Sequence, residues 1–350
     1  MNVLVTGGAG YLGSVLLPKL LARGHRVRVL DVGYFGLGHL RTLRPAVELI
    51  REDLRRLARD SGFTAELLEG CDCVIHLAAI SNDPSAELNP GLTDEVNFRA
   101  TAALAEAAKS RGIRFLFSSS CSVYGEADGE VDEDGPLNPL TVYAVSKAKV
   151  DEMLEGLADG TWSPVILRNG TLFGRSPRMR FDLVINIFSL YSTLYNEIKV
   201  FGDGGAWRPF LHVRDCARAF VHFAEKEKHQ YLRYNIAHQN LRVVDAAECF
   251  RRINPHLKTT WIDGSDQDRR SYRVTTRRMQ EEGFQTALSV DSGAEEMIEA
   301  ILSGGIPDPE SIYYRNAKWL KELTQIGTSS HRDIAELMET MVELRTPTKV

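Results

Sequence analysis

The segment YAVSK at residues 143–147 places a tyrosine and a lysine four positions apart, and a serine run, Ser118–Ser120, precedes it. On a helix, Tyr143 and Lys147 at this spacing share one face. A phenol has a pKa near 10, so it needs a shift of about three units to act as a base at pH 7. A neighbouring ammonium and a positively charged nicotinamide ring both favour the phenolate. With Ser120 holding the same substrate oxygen, these residues predict hydride transfer at an alcohol carbon.

A glycine-rich turn at the start of the chain predicts the cofactor for that chemistry. The sequence TGGAGYLG at 6–13 follows the apolar run 3–5 and opens a segment with apolar residues at helical spacing. Such a turn directs bare N–H groups and the positive end of a helix at a pyrophosphate. We expect Gly7 and Gly10 to permit the close approach of the phosphates, and Gly13 to let the helix pack against the strand.

A second apolar strand, 27–30, ends in Asp31. An acidic residue about 20 positions after the glycines suits the ribose diol of NAD and repels the 2′-phosphate of NADP. Val32 and Gly33, which follow Asp31, add no cation. We therefore predict NAD as the cofactor. The alternatives are a glycine turn without function and, for the tyrosine and lysine, the exposed face of an ordinary amphipathic helix.

Composition excludes several other classes of function. The 350 residues are 43% hydrophobic and carry a formal net charge of −5. This charge offers no basic surface for nucleic acid or a membrane, and no apolar run reaches the length of a membrane span. Five scattered cysteines predict reduced thiols, and Cys71 and Cys73 lack the spacing of a zinc knuckle. We expect a cytoplasmic protein with no metal site, no nucleic-acid partner and no membrane partner.

Strand-like and helix-like segments alternate over the first half of the chain. This pattern predicts a doubly wound parallel Rossmann sheet of the α/β class with a smaller mixed α/β substrate-binding lobe. The NAD-binding domain is predicted over 1–170 and about 210–232, and the substrate-binding lobe over about 171–209 and 233–310. Residues 311–350 are predicted to form a helical C-terminal tail at the surface.

In combination these motifs resemble the extended short-chain dehydrogenase/reductase family, in particular its NAD-dependent nucleotide-sugar epimerases and dehydratases. The resemblance extends from Met1 to about Gly283, and its further motifs are DL at 53–54, HLAA at 76–79, SSSCSVYG at 118–125, VFGDG at 200–204 and RPFLHVRD at 208–215. It implies a nucleotide-diphosphate sugar as the substrate. We expect the assembly to be a homodimer.

The residues and the resemblance together assign catalysis to Ser120, Tyr143 and Lys147. Cofactor contacts are expected for Gly7, Gly10, Tyr11, Leu12, Gly13, Asp31, Asp53, Leu54, Leu77, Ala78, Ala79, Asn97, Tyr143 and Lys147. Substrate contacts are expected for Ser81, Asn82, Ser122, Thr171, Asn186, Arg208 and Arg270. Among the arginines that follow the predicted sixth strand, Arg208 and then Arg270 are the ones we expect to bind the substrate diphosphate, because a guanidinium fork suits phosphate oxygens.

Departures from the family pattern narrow the reaction. Family 4,6-dehydratases carry an Asp-Glu pair directly after the catalytic hydroxyl residue, whereas this chain has Cys121 and Ser122, so dehydration lacks its proton carriers. Members that epimerise beside a ketone place a cysteine where Ser122 stands. Thr171 stands where the family usually has asparagine. The pattern favours a 4-epimerase. It leaves open a C4 dehydrogenase or 4-ketoreductase and, from another class, a non-catalytic NAD-binding module.

Overall fold

The structure, a computed structural model, describes residues 1–263 and 269–325. Its strands are β1 Asn2–Thr6, β2 Arg26–Leu30, β3 Val47–Ile50, β4 Cys73–His76, β5 Arg114–Ser120, β6 Glu126–Val131, β7 Val165–Asn169, β8 Thr171–Phe173, β9 Glu197–Phe201, β10 Trp207–His212, β11 Arg233–Ile236, β12 Gln239–Arg242, β13 Lys258–Ile262 and β14 Ser271–Val274. Its α-helices are α1 Gly13–Ala22, α2 Arg56–Arg59, α3 Ser61–Leu67, α4 Asp83–Glu87, α5 Pro90–Asp94, α6 Ala100–Ser110, α7 Val142–Leu157, α8 Val184–Tyr195, α9 Val213–Glu225, α10 Val243–Ile253, α11 Arg277–Glu281, α12 Val290–Leu302 and α13 Asn316–Gln325.

The large sheet consists of parallel strands in the spatial order β3-β2-β1-β4-β5-β7-β11. The chain winds outward from β1 in one direction and, from β4, in the other, which is the doubly wound arrangement. The predicted fold class is therefore confirmed. In such sheets ligands bind at the carboxyl ends of the strands beside the reversal, here between β1 and β4.

Alternating side chains of the central strands build a core on each face of the sheet. From β1, Val3 and Val5 join the core that α1 and α9 cover, whereas Leu4 joins the core that α6 and α7 cover. Each of these three side chains is at most 1% exposed, so each contributes about 1.5–3 kcal/mol by burial. The run 3–5 is continuously apolar because a parallel sheet is covered on both faces.

The other strands form smaller sheets. β10 lies between β12 and β8, β13 pairs with β9, and β14 pairs with β6. A separate core that includes Phe173, Phe188, Phe210 and Phe250 supports this part of the molecule. The large sheet continues past the boundary predicted at about residue 232, because β11 pairs with β7. We correct that boundary to follow β11, and the division into two lobes stays a prediction.

The described part of the C-terminal segment is a surface segment, one side of which packs against the loop after β2. It contains α13, whose Trp319 and Leu323 side chains are 8% and 5% exposed because they pack near Tyr34 and Phe35 of the loop after β2. The Trp319 Nε1–H group donates to the Tyr34 carbonyl oxygen at 2.7 Å. The apolar side of α13 therefore covers a loop of the large sheet. Residues 326–350 of the predicted tail lie outside the described residues.

Three of the sequence expectations concern membranes, metals and thiols. None of the helices that the structure describes has the length and apolar character needed to cross a membrane. Within residues 1–263 and 269–325, no three His, Cys, Asp or Glu side chains converge as metal ligands would. The five cysteines are free thiols, and Cys73 is wholly buried in the core, which confirms core packing for that residue.

Candidate active site and cofactor cleft

The glycine turn lies at the carboxyl end of β1. Gly7 has a φ of +72°, and a Cβ on it would lie 2.7 Å from the Ala78 backbone nitrogen. A Cβ on Gly13 would lie 2.5 Å from the Gly7 carbonyl oxygen, so Gly13 permits close packing on the turn itself and not, as expected, on the strand. No side chain of the described residues caps the start of α1, and the Ser14 and Val15 N–H groups donate to the Gly10 and Leu12 carbonyl oxygens of the turn at 3.0 and 3.1 Å. The narrow cradle of glycines at the positive end of a helix fits a pyrophosphate.

Asp31 is anchored beside this turn. Its Oδ2 accepts a hydrogen bond from the Ala9 N–H group and its Oδ1 accepts one from the Gly33 N–H group, both at 2.9 Å. Burial raises the pKa of Asp31, while these two hydrogen bonds and the nearby Arg178 act in the opposite direction. Arg178 comes from a distant part of the chain. As expected, no cation follows Asp31 directly in the sequence. The fold nevertheless brings the Arg178 guanidinium near it.

The loop after β4 borders the glycine turn. The Leu77 N–H group donates to the Thr6 carbonyl oxygen at 3.1 Å, and the Ala78 N–H group donates to the Thr6 hydroxyl at 3.3 Å. Asn97 supports Ile80 of the same loop, because its Oδ1 accepts from the Ile80 N–H group at 2.8 Å and its Nδ2 donates to the Ile80 carbonyl oxygen at 3.1 Å. Asn97 therefore acts on the cleft through the loop backbone.

Asp53 and Leu54 follow β3 at the same edge of the sheet. The Asp53 carboxylate pairs with the Arg55 guanidinium at 2.7 Å. The Leu54 side chain is 7% exposed and packs into the core below Leu4 and Leu30. The cofactor contacts expected for these two residues stay a prediction, and the Asp53 carboxylate is engaged in an ion pair.

Tyr143, Lys147 and Ser120 come together at the end of β5. Tyr143 and Lys147 lie one turn apart on α7, with the Lys147 Nζ 5.7 Å from the centre of the Tyr143 ring. Lys147 also donates to the Ser118 carbonyl oxygen at 2.7 Å. The Ser120 and Tyr143 side chains are hydrogen-bonded. The tertiary structure thus gathers the three residues that the sequence nominates for catalysis.

The pKa of Tyr143 departs from the sequence expectation. Burial raises it to about 12, and Asp83 adds to the rise. The groups that act in the opposite direction are Arg180, Ser120 and Arg270. Burial also lowers the pKa of Lys147 to about 8. Desolvation disfavours the charged form of both groups, so the side chains around Tyr143 by themselves keep it protonated.

A buried ion pair beside Tyr143 was not revealed by the motifs. The Arg180 guanidinium forks onto the Asp182 carboxylate at 2.9 and 3.0 Å, and the Asn82 Nδ2 donates to the same carboxylate at 2.6 Å. Arg180 is 7% exposed and is the cation that most strongly opposes the rise in the pKa of Tyr143. The signal in the sequence was the Arg-Phe-Asp run at 180–182.

The two arginines expected at the diphosphate are neighbours. The Arg208 guanidinium donates to the Arg270 carbonyl oxygen and lies 5.8 Å from the centre of the Tyr272 ring. The Arg270 guanidinium pairs with Asp83, and the Thr141 hydroxyl at the start of α7 donates to the same carboxylate. This chain of contacts connects both arginines to the helix that carries Tyr143.

The other expected substrate residues have different environments. Ser122 is 4% exposed, and its hydroxyl has no hydrogen-bond partner among the described residues, which suits a ligand contact. Thr171 is half-buried at the start of β8. Ser81 accepts a hydrogen bond from the Asn316 Nδ2 at 3.3 Å, and Asn82 caps α4 with a φ of +77°. Ser122 is therefore the one of these with an unused buried polar group.

Asn186 does not have the substrate contact expected of it. It is wholly buried, and its Oδ1 accepts from the Gly174 N–H group at 2.9 Å. Its Nδ2 donates to the Tyr11 hydroxyl at 3.1 Å and to the Arg180 carbonyl oxygen at 2.8 Å. The Tyr11 hydroxyl in turn donates to the Gly174 carbonyl oxygen at 2.5 Å. Because both amide hydrogens are used inside the protein, Asn186 ties the glycine turn, through Tyr11, to the loop after β8.

Over residues 3–237 the chain matches the NAD dependent epimerase/dehydratase family. The matched range is most of the chain and contains the glycine turn, Asp31 and the three catalytic candidates.

The chain belongs to the NAD-dependent epimerase/dehydratase family.

This family membership confirms the resemblance inferred from the motifs and makes the protein an NAD-dependent enzyme of this family. An uncharacterized UDP-glucose epimerase of Bacillus subtilis, YtcB, is 34% identical over 236 residues, which are 63% of this chain and 72% of that protein. The structure of MoeE5 in complex with UDP-glucuronic acid and NAD is 28% identical with a TM-score of 0.74, and the match covers 87% of this chain and 100% of that one. The UDP-glucuronic acid 4-epimerase from Bacillus cereus in complex with UDP-glucuronic acid and NAD is 25% identical with a TM-score of 0.72, over 87% and 99% of the two chains.

We expect this epimerase/dehydratase family member to bind NAD at least about tenfold more tightly than NADP, and Asp31→Ala to narrow the difference. The substitution removes the carboxylate that suits the ribose diol and repels a 2′-phosphate. Asp31→Asn is the matched variant, because it keeps an oxygen acceptor for the Ala9 N–H group and loses the charge. Titration of each protein with both cofactors, followed by protein fluorescence, measures the effect. Equal affinities in the unsubstituted protein would refute the role of Asp31.

We expect Lys147→Met to slow the reaction and to move its pH optimum upward. Without the ammonium near its ring, Tyr143 ionises only at higher pH. Burial lowers the pKa of Lys147 to about 8, so its positive charge is present below that pH and is lost above it. Lys149→Met is the matched control, since the Lys149 side chain is 53% exposed on the same helix. Rate–pH profiles of the three proteins test this, and identical profiles for Lys147→Met and the unsubstituted enzyme would show that Lys147 does not tune Tyr143.

Proposed function

We propose that the protein is an NAD-dependent nucleotide-sugar 4-epimerase that acts through a transient 4-keto sugar. The observation that carries this proposal is the convergence of Ser120, Tyr143 and Lys147 at the end of β5, on the same carboxyl edge of the sheet as the glycine turn and Asp31. This set contains one proton acceptor, one hydroxyl that orients the substrate oxygen and one cation. With NAD as the hydride acceptor, reversible oxidation of a single alcohol carbon needs no further side chain.

The residues after Ser120 argue against dehydration. Removal of water from a sugar needs a separate acid and base, and the two positions after Ser120 carry a thiol and a hydroxyl. The Cys121 Sγ donates to the Arg168 carbonyl oxygen at 3.1 Å and is wholly buried. Burial raises the pKa of the Cys121 thiol, so it stays protonated and is a poor base. Ser122 adds only a neutral hydroxyl.

A nucleotide-diphosphate sugar is the substrate class that suits the rest of the cleft. The Arg208 guanidinium donates to the Arg270 backbone, and the Arg270 guanidinium pairs with Asp83. These two neighbouring arginines, here called the arginine pair, suit a diphosphate better than a free sugar. MoeE5 and the Bacillus cereus 4-epimerase, both similar in fold, are complexes with UDP-glucuronic acid and NAD. We propose that the same kind of ligand lies between Tyr143 and the arginine pair.

The proposed mechanism uses Tyr143 twice, first as proton acceptor and then as proton donor. A bound NAD would supply the hydride acceptor and a positively charged nicotinamide ring. That charge and the Lys147 ammonium would favour the Tyr143 phenolate against the effect of burial. Ser120 would hold the C4 hydroxyl of the sugar while the phenolate takes its proton and C4 becomes a ketone. When hydride returns to the opposite face of C4, Tyr143 would give the proton back to the oxygen, a return that its raised pKa favours.

A panel of nucleotide sugars tests the proposal. Each is incubated with the purified protein while NMR follows the sugar and absorbance follows NADH. An isomerised sugar without net NADH would support the 4-epimerase. NADH in amounts equal to the oxidised sugar would instead identify a C4 dehydrogenase, and no conversion of any sugar despite bound NAD would favour the non-catalytic module. The cytoplasmic location and the homodimer expected from the sequence stay predictions.

A further inference from the structure

Arg178 is buried near Asp31 without a full set of partners. It is 2% exposed, and its Nε has no hydrogen-bond partner among the described residues. Its Nη1 donates to the Met179 carbonyl oxygen at 3.2 Å, and its Nη2 donates to the Asn316 Oδ1 at 2.6 Å. The guanidinium carbon lies 3.9 Å from the centre of the ring of Phe35, in the loop that follows Asp31. A buried guanidinium donor without an acceptor is costly unless a ligand satisfies it.

The surroundings of Arg178 belong to the cofactor cleft. The Ser176 hydroxyl donates to the Tyr11 backbone carbonyl oxygen at 2.7 Å, which docks the Arg178 loop on the glycine turn. His39 lies close to Arg178 and to the Ala9 backbone. Burial first, and Arg178 second, lower the pKa of His39 to about 4, so its ring is neutral at pH 7. Its Nε2 also has no hydrogen-bond partner in the described chain. Two buried polar atoms beside Asp31 and the glycine turn, the Arg178 Nε and the His39 Nε2, thus have unused hydrogen-bonding capacity.

The segment 311–325, here called the C-terminal strap, contacts Arg178 through Asn316. The Phe181 N–H group donates to the Tyr314 carbonyl oxygen at 2.8 Å. Asn316 accepts from Arg178 and donates to the Ser81 hydroxyl, while Trp319 is anchored to the Tyr34 carbonyl oxygen. The strap therefore joins the loops after β2, β4 and β8, which are the loops that border the cleft.

We propose that Arg178 is a further NAD-binding residue, directed at the cofactor pyrophosphate, and that the C-terminal strap keeps it there through Asn316. A guanidinium is suited to this task because its fork of donors matches phosphate oxygens. NAD then leaves only after the hydrogen bond between Arg178 and Asn316 of the strap breaks. The cofactor is therefore retained between turnovers. This inference rests on NAD binding and not on which sugar reaction the protein catalyses.

The test measures NAD binding in the full chain with no sugar present. Arg178→Gln should raise the dissociation constant of NAD by about tenfold or more, since a charge-assisted hydrogen bond is lost. Asn316→Ala leaves the guanidinium in place but removes its support, and should speed NAD release by about three- to tenfold, the range for one ordinary hydrogen bond. Calorimetry gives the dissociation constant, and stopped-flow displacement of fluorescent NADH by excess NAD gives the release rate.

Matched controls separate a local effect from a general one. Arg175→Gln, an exposed arginine on the same loop, and Lys318→Ala, an exposed lysine on α13, should leave both quantities within about twofold. Thermal unfolding without NAD shows whether the Arg178→Gln variant folds. If it does not fold, the Arg178→Lys variant, which keeps the charge, is used in its place. An unchanged dissociation constant in a folded Arg178 variant would overturn the role of Arg178, and an unchanged release rate in Asn316→Ala would overturn that of the strap. NAD binding as expected here without conversion of any nucleotide sugar would overturn only the proposed function.

Discussion

Tyr143→Phe lowers kcat by about 10²–10⁴-fold, the usual contribution of a positioned proton acceptor, and leaves NAD affinity unchanged. The phenylalanine ring keeps the packing of this half-buried residue on α7 while removing the hydroxyl that bonds to Ser120. The alcohol proton of the substrate then has no acceptor, because Lys147 is engaged with the Ser118 carbonyl oxygen. Steady-state rates with a converted nucleotide sugar, together with NAD titration, measure both parts of the expectation.

Tyr195→Phe is the control for this substitution. Tyr195 is 52% exposed on α8, so loss of its hydroxyl should leave the rate unchanged. A Tyr143→Phe enzyme that retains activity within about threefold of the unsubstituted protein would rule out Tyr143 as the acid–base group, since the expected loss is at least 10²-fold. Loss of NAD binding in the same variant would instead indicate damage to the cleft.

Arg208→Ala raises the KM for a nucleotide sugar by about ten- to a hundredfold, since charge-assisted hydrogen bonds to phosphate contribute about 1.5–3 kcal/mol each. The change in kcat is smaller, because the diphosphate is remote from the carbon that reacts. Arg208 is 6% exposed and packs over Tyr272, so its guanidinium is held in one place before the substrate binds. Initial rates over a range of substrate concentrations give KM and kcat separately.

Arg242→Ala provides the matched control. Arg242 lies on β12, next to the Arg208 strand, but it is 47% exposed and pairs with Asp245. Its loss should leave KM unchanged. Arg208→Lys keeps the positive charge and loses the forked guanidinium, so it should give an intermediate KM. This variant also serves as the test if the alanine variant does not fold. If Arg208→Ala has a normal KM for the nucleotide sugar but weakened NAD binding, Arg208 contacts NAD and not the sugar substrate.

Local sequence patterns were sufficient to predict the large parallel sheet. The apolar run 3–5 and the segment 27–30 became neighbouring central strands. The run 3–5 is continuously apolar because its strand is covered on both faces, whereas the half-buried Arg28 interrupts the second segment. Gly24 takes the left-handed conformation after α1, with a φ of +77°, as its position after an apolar helical stripe predicts. The lobe boundary was harder to place, since β11 joins the large sheet after a long excursion of the chain.

The electrostatics of the site depended on contacts that no motif contains. Spacing placed Lys147 near Tyr143, but the raised pKa of Tyr143 comes first from burial and then from Asp83. Asn186 was expected at the substrate, yet its neighbours turned its amide inward to Tyr11 and Gly174. These environments are assembled from residues far apart in the chain, so their balance of desolvation and charge follows from packing.

The sequence alone determined the class of fold, the glycine turn, the carboxylate after β2 and the one-turn spacing of Tyr143 and Lys147. Each of these depends on backbone preferences and periodicities that act over a few residues. Only the tertiary structure decided that Arg180 and Asp182 pair beside Tyr143, and that Asn316 of the C-terminal strap holds Arg178 near Asp31. The Arg178–Asn316 contact joins residues 138 positions apart, and a buried charge takes its partners from whatever the packed fold brings within hydrogen-bond distance.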